Sequence, residues 1–258
     1  MMMVLAMPAQ ALELSGVFMQ GGLVIGHAGP GARVSLDGEA VAVAADGAFV
    51  IGFGRDAKDK AVLTVTETDG RTESRTLDIA KQDYDIQRID GLPARKVTPR
   101  PEDVARIKAD NAKIGTVRAT MTAEPRFVTG FAWPVKGPLS GVFGSQRILN
   151  GTPKNPHNGV DVAAPEGTPI RAPAAGVVAL VHDDMFYTGK TMMIDHGLGL
   201  TSVYAHMASI SVIEGQVVEQ GQTIGAVGQT GRATGAHLHW GMTWKSTHLD
   251  PRLAAGEM

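Results

Sequence analysis

The chain has 258 residues with 24 basic and 26 acidic side chains, a formal net charge of -2, eight histidines and no cysteine. That near-balance excludes the basic surplus of a nucleic-acid-binding protein. The missing cysteines exclude disulfides, zinc ribbons and a thiol nucleophile, and no run of 18 apolar residues is present to form a transmembrane helix. Any metal must be held by His, Asp or Glu. With 32 glycines and 19% charged residues, the chain leans toward β structure with many tight turns, and its length suits one large or two small domains.

At the start, Met1 to Pro8 is apolar and Ala9-Gln10-Ala11 has the pattern of a secretory cleavage site. Residues 1–11 are therefore expected to be the tail of a signal peptide that starts upstream, which places the protein in the periplasm or cell envelope. From Glu13 to Ala80 the chain reads as short strands. Arg33–Leu36, Ala40–Ala44, Ala48–Phe53 and Ala61–Thr68 are punctuated by Asp37-Gly38, Asp46-Gly47 and Asp69-Gly70, all hairpin-turn dipeptides. This spacing predicts a small β-sandwich over residues 12–80. It holds only His27, so packing, targeting or recruitment of an envelope protein partner is its expected role.

Lys81 to Pro101 carries charges and three prolines and reads as the start of a linker over residues 81–130. Within it, Val104, Ile107, Ile114, Val117 and Met121 recur at a helical period, which predicts a helix over 102–120. Pro101 opens it, and Glu102 and Asp103 favour its N-terminal dipole. Residues 131–258 return to short strands broken by Gly and Pro, among them Ala175–Val181, Thr191–Asp195, Leu200–Ala205, Gln216–Val218 and Thr223–Val227. No helix is expected there. The fold class is mainly all-β.

Six of the eight histidines fall between His157 and His239, and three short segments stand out: His157-Asn158-Gly159-Val160-Asp161, Tyr204-Ala205-His206 and His237-Leu238-His239. His237 and His239 lie in a strand-like stretch, so both imidazoles project from one face. His157 and Asp161 are four apart, a spacing that suits a helix face or a strand face. Pro156 and Gly159 disfavour the helix, which leaves a loop entering the strand Val160–Ala163. Two such pairs from different strands can meet at a sheet surface. A His/Asp/His set would offer three ligands to Zn²⁺ and leave a fourth position for water, as hydrolysis requires.

These three segments resemble the signatures of the lysostaphin-like (LytM-domain) zinc endopeptidases of bacterial cell walls. The flanking residues are similar too: Phe143-Gly144-Ser145, Ala164 to Ile170, Ala172 to Val178, Asp195-His196-Gly197, Gly215 to Val218, Gly221 to Gly225 and Gly228 to Gly231. The likeness covers roughly Trp133 to Arg252. It implies one Zn²⁺ per chain held by His157, Asp161 and His239, with His206 and His237 as catalytic histidines that are not ligands. It further implies hydrolysis of peptide crosslinks in peptidoglycan. Many members of that family continue His-Leu-His-Phe-Glu, whereas this chain has His239-Trp240-Gly241. The missing Glu bears on support of the site, not on the ligands. Arg147 and Asn150, upstream of His157, are candidates to touch substrate carboxylates or plug the metal, and Tyr204 is a candidate pocket wall. His182, His196 and His248 have no partner pattern and are expected to be structural.

Three rival readings remain at this level. A non-catalytic or latent lysostaphin-like domain would bind the wall or activate other hydrolases, but all five expected groups are present. The run from Val212 to Gly228 resembles biotinyl and lipoyl carriers, but the candidate Lys190, in Tyr187-Thr188-Gly189-Lys190, lacks their usual flanking residues, and a carrier leaves the histidines without a purpose. In the third, the N-terminal domain dominates by binding partners at the envelope.

Overall fold

The computed structural model describes residues 12–258. The expected signal-peptide remnant, residues 1–11, lies outside the described residues. The N-terminal part contains β1 (Glu13–Gly16), β2 (Leu23–His27), β3 (Arg33–Leu36), β4 (Glu39–Val41), β5 (Ala48–Gly52), β6 (Lys60–Thr66) and β7 (Thr72–Asp78). They pair antiparallel in two sheets, β1-β2-β5 and β4-β3-β6-β7. The Asp37-Gly38 turn between β3 and β4 has both residues at positive φ, 50° and 86°, which matches the right-handed twist of the strands it joins. Val24, Phe49 and Ile51 from the first sheet and Val34, Leu63 and Val65 from the second are buried in one apolar core.

Then follow β8 (Ile86–Ile89), α1 (Ala94–Val97) and α2 (Pro101–Ala119). The remaining strands are β9 (Leu139–Gly141), β10 (Gln146–Leu149), β11 (Thr152–Pro153), β12 (Val160–Ala163), β13 (Pro169–Arg171), β14 (Gly176–Met185) and β15 (Gly189–Gly197). After these come β16 (Leu200–Ala205), β17 (Ser209–Ile210), β18 (Val217–Val218), β19 (Thr223–Ala226), β20 (His237–Trp244) and β21 (Thr247–Leu249), with a closing helix α3 (Pro251–Ala255). The main sheet has the order β18-β14-β15-β16-β20-β12-β9, with β21 beside β20. Two small sheets, β13-β19-β17 and β11-β10-β8, complete the fold.

The segment expected to be a linker is folded onto the C-terminal half. β8 pairs in parallel with β10, and Ile89, Leu92, Val97 and Leu149 form a small core of their own. Helix α2 starts at Pro101, and the Asp103 carboxylate accepts from the Arg100 N–H at 3.1 Å and from Arg95, capping the first turn. Ile114 and Val117 pack on Leu180, Met193 and Val203 of the main sheet. Alternate residues Met192, Ile194 and Tyr204 point to the other face and join the main core. Strands β15 and β16 are thus covered on both sides. The short helix α3 corrects the helix-free expectation for residues beyond 131; Asp250 caps it by accepting from the Arg252 N–H at 3.0 Å. No helix among the described residues is long and apolar enough to cross a membrane.

Candidate active site

The register of the main sheet assembles the site. Gly141, Asp161, His239 and Ala205 are successive partners across β9, β12, β20 and β16. Asp161 therefore stands directly opposite His239. His237, two residues earlier on β20, shares its face. His157 lies in the loop entering β12 and is anchored by its N–H donating to Ser145 O at 2.9 Å. Close approach here depends on glycine. A Cβ on Gly159 would lie 2.4 Å from Trp240 O and 2.9 Å from His239 Cε1. One on Gly241 would lie 2.9 Å from Val203 Cγ1 and 3.0 Å from Asn158 O, so this packing favours the glycine found where a Glu is usual in the resembled family.

Three acceptor atoms converge. His157 Nε2 is 3.0 Å from His239 Nδ1 and 3.1 Å from Asp161 Oδ1, and His239 Nδ1 is 2.8 Å from the same oxygen. The His157 Nδ1–H donates to Val142 O at 3.1 Å, so its Nε2 presents a bare lone pair to the Asp161 carboxylate. Two electron pairs facing one another in a buried place call for a cation. Ligands 2.0–2.1 Å from a tetrahedral ion would lie about 3.3 Å apart, within a few tenths of an ångström of these edges. The donor set therefore fits a metal ion, and these three are the His/Asp/Glu group among the described residues that could hold one. Burial pushes His157 down to about 4, with Asp161 opposing. Burial pushes the Asp161 carboxyl up, but His157 and His239 outweigh it and hold it well below the usual carboxylate range. Neutral imidazoles and an ionised carboxylate are the forms that bind metal.

His206 and His237 flank this group. Their rings are 4.7 Å apart, and His237 Nε2 lies 3.9 Å from Asp161 Oδ1. Each donates its Nδ1–H to a backbone carbonyl at 2.8 Å, His206 to Thr230 O and His237 to Gly235 O. Both are thereby fixed in the tautomer with a bare Nε2. His206 follows β16 in a left-handed conformation (φ 62°), held by its N–H to Thr188 O at 2.8 Å. Such local strain is retained where the surroundings over-determine it. Burial, with His237 and His239 alongside, pushes His206 down to about 3.

The three other expected contacts fall differently. Arg147 donates to Asp161 Oδ2, the oxygen turned away from the two histidines, and its Nε bonds Gln87 Oε1 at 3.2 Å. It steadies the carboxylate. Asn150 takes a positive φ of 45° and spends its amide on Leu92, accepting from the N–H at 3.2 Å and donating to the carbonyl at 2.7 Å. Tyr204 is fully buried, with its hydroxyl on Ser202 Oγ at 2.7 Å. Asn150 ties down the β8–α1 segment and Tyr204 packs the core, both apart from the group formed by His157, Asp161 and His239. Of the remaining histidines, His196 is wholly buried and both ring nitrogens are bonded, to Ala175 O at 2.7 Å and Ser202 Oγ at 2.8 Å. His182 accepts from the Asp184 N–H, and burial pushes His248 down to about 4.

The site opens into a cavity of about 380 Å³ lined by Asp161, His206, His237 and Arg147, by the β8 residues Gln87 to Ile89, and by Arg232. Gln87 also donates to Ser140 O at 2.7 Å, so β8 forms one wall. Sequence reasoning missed Arg232. The available signal was its isolation as the sole arginine between Arg171 and Arg252, five residues before His237.

The model for peptidase family M23 matches residues 155–251, which contain all five histidine and aspartate groups of the site. A curated relative, DD-carboxypeptidase/endopeptidase Mpg of Neisseria meningitidis, is 48% identical over 84 residues, 33% of this chain and 19% of its own length. Peptidoglycan DD-endopeptidase ShyA of Vibrio cholerae is 45% identical over 85 residues, 33% of this chain and 20% of its own. The chain thus spans about a fifth of the length of these curated relatives. A crystal structure of a Pseudomonas aeruginosa chain assigned to peptidase M23 superposes with a TM-score of 0.73 at 31% identity, over 93% of this chain and 96% of that one. A likeness of that identity, sustained over nearly the whole of both molecules, makes this chain a member of peptidase family M23.

Proposed function

We propose that this chain is a zinc endopeptidase that hydrolyses amide bonds in the peptide crosslinks of peptidoglycan, acting in the periplasm or cell envelope. The observation that carries the reading is the meeting of three acceptors, two buried and one partly buried, His157 Nε2, Asp161 Oδ1 and His239 Nδ1, beside two histidines whose Nε2 atoms are bare. Two imidazoles and one carboxylate suit Zn²⁺ and leave a position open. The names of the two curated relatives, both peptidases and one named for peptidoglycan, support the substrate class.

Zinc held by His157, Asp161 and His239 would supply Lewis acidity to the scissile carbonyl and acidity to an attacking water. His237, with its side chain 15% exposed toward the cleft, takes the proton from that water on Nε2 and passes it to the leaving amine. His206, kept neutral by burial, accepts a hydrogen bond on Nε2 and fixes the water's direction. Arg147 holds Oδ2 of Asp161, so the carboxylate keeps Oδ1 turned to His157 and His239, with which it would hold the metal.

The test is metal content by elemental analysis together with release of soluble muropeptides from purified sacculi. The wild type is expected to hold about one zinc and to release fragments, and His239→Ala to lose both. Release that persists after the ligand is removed would sink the mechanism. Zinc without release would favour a latent enzyme. A specific observation speaks for that second reading: β8, outside the segment matched by the family model, pairs with β10 and is pinned by Gln87 as one wall of the cleft.

A further inference from the structure

The cleft holds a cation that the proposed chemistry does not use. Arg232 lies on the loop before β20, and its guanidinium rests on the Tyr187 ring at 4.6 Å. Its backbone N–H donates to Tyr187 O at 2.7 Å, and Nη1 reaches Lys96 O at a long 3.4 Å. Among the described residues no carboxylate oxygen comes within 4.0 Å of this guanidinium, although Asp90 and Asp161 line the same cavity. The carboxylate whose charge acts on Arg232 is already committed: Oδ2 of Asp161 is taken by Arg147, and Oδ1 faces His157 and His239.

A partly buried guanidinium without a counter-ion is costly, and it is retained where a ligand completes it. Burial and the neighbouring Arg147 both push Arg232 below its usual pKa, the mark of a cation in want of an anion. Stacking on Tyr187 fixes the plane of the fork and leaves most of its N–H donors unspent, which suits bidentate pairing with a carboxylate. We infer that Arg232 forms a subsite for a free carboxylate of the peptide substrate, close to the bond cut, so that the cleft selects anionic peptides over their amidated counterparts. This inference rests on the peptidase reading and names what its substrate must carry.

The test uses two synthetic branched peptides, identical except that the carboxylate beside the scissile amide is a carboxamide in one. Their binding is measured by calorimetry on the zinc-loaded full chain carrying His237→Ala, with Arg232 intact, with Arg232→Gln and with Arg232→Lys. Cleavage of both peptides by the wild type is followed in parallel. The carboxylate peptide is expected to bind at least about tenfold tighter than the carboxamide. Arg232→Gln should erase that preference while changing carboxamide affinity less than about twofold, and Arg232→Lys should keep part of it. Equal binding of the two peptides with Arg232 intact, no binding of either, or equal weakening of both in Arg232→Gln overturns the subsite. The two readings fail separately: preference without cleavage sinks the peptidase, and cleavage without preference sinks the subsite.

Discussion

Both halves of the molecule are built from short antiparallel strands and glycine turns, yet the candidate chemistry collects in one of them, and an edge strand of the first set beside a central strand of the second shows what burial does to polar groups. Strand β7 in the N-terminal part buries one residue of seven, Leu77, whereas β15 in the main sheet buries eight of nine. A sheet covered on one side leaves a row of polar groups in water, where a histidine or aspartate keeps its hydration. A sheet covered on both sides removes that water. Each buried polar atom must then find a partner, a backbone carbonyl on one side and a cation or substrate on the other. His157, His206 and Asp161 live under the second regime and His27, in the partly buried β2, under the first.

The sharpest way to break this contrast is to remove the two histidines proposed to act beside the metal without binding it. His206→Ala or His237→Ala should keep about one zinc per chain and lower turnover by about 10²- to 10⁴-fold, the range of a lost acid–base group. His27→Ala should change neither. The checks are elemental analysis and muropeptide release on the same samples. Loss of zinc from His206→Ala would merge the two pairs into one metal cluster and remove the division of labour argued from their Nδ1 partners.

The next effect is on stability and isolates burial from catalysis. Burial pushes His196 down to about 4 from an unperturbed 6.5, against weaker opposing effects of Ala175 O and Asp195. Between those pH values the unfolded chain binds a proton that the folded His196 refuses. Its contribution is therefore complete above pH 6.5 and drains away as pH falls toward 4, on the order of 3 kcal/mol in all. Urea unfolding of the wild type and His196→Gln across pH 7.5 to 4 reads this as a difference in slope. The variant should be less stable at pH 7.5 and lose less on acidification. Parallel curves would mean that His196 is hydrated in the folded protein and that the main sheet is wetter than its packing indicates.

Legibility in the sequence followed the same division. β12 and β16 were readable to the residue, Val160–Ala163 and Leu200–Ala205, because buried strands are written in Val, Leu, Tyr and Ala between clear breakers. β7, Thr-Glu-Ser-Arg-Thr-Leu-Asp, has too little apolar content to stand out. β8 was hidden for another reason. Its partner β10 lies some sixty residues away and pairs in parallel, so no local turn announces it, and its charged, proline-flanked surroundings read as a linker. The three histidine segments were legible as motifs, but their meeting depends on the strand order β16-β20-β12, which spacing along the chain does not contain. Asn150 shows the converse. It is near His157 in sequence, yet its positive φ turns the amide to Leu92.

The smallest expected effect bears most directly on the contrast itself. Thr64 on β6 and Ser74 on β7 are cross-strand partners, and their hydroxyls lie 3.1 Å apart on the exposed face. Water replaces such a contact almost at once, so Ser74→Ala should move the unfolding free energy by no more than about 0.5 kcal/mol. A loss three times as large in the same urea titration could not come from an exposed hydroxyl pair. It would mean that this face is covered in solution by a second surface. The N-terminal sheets would then be an interface, and their polar rows would be contact residues instead of a solvated exterior.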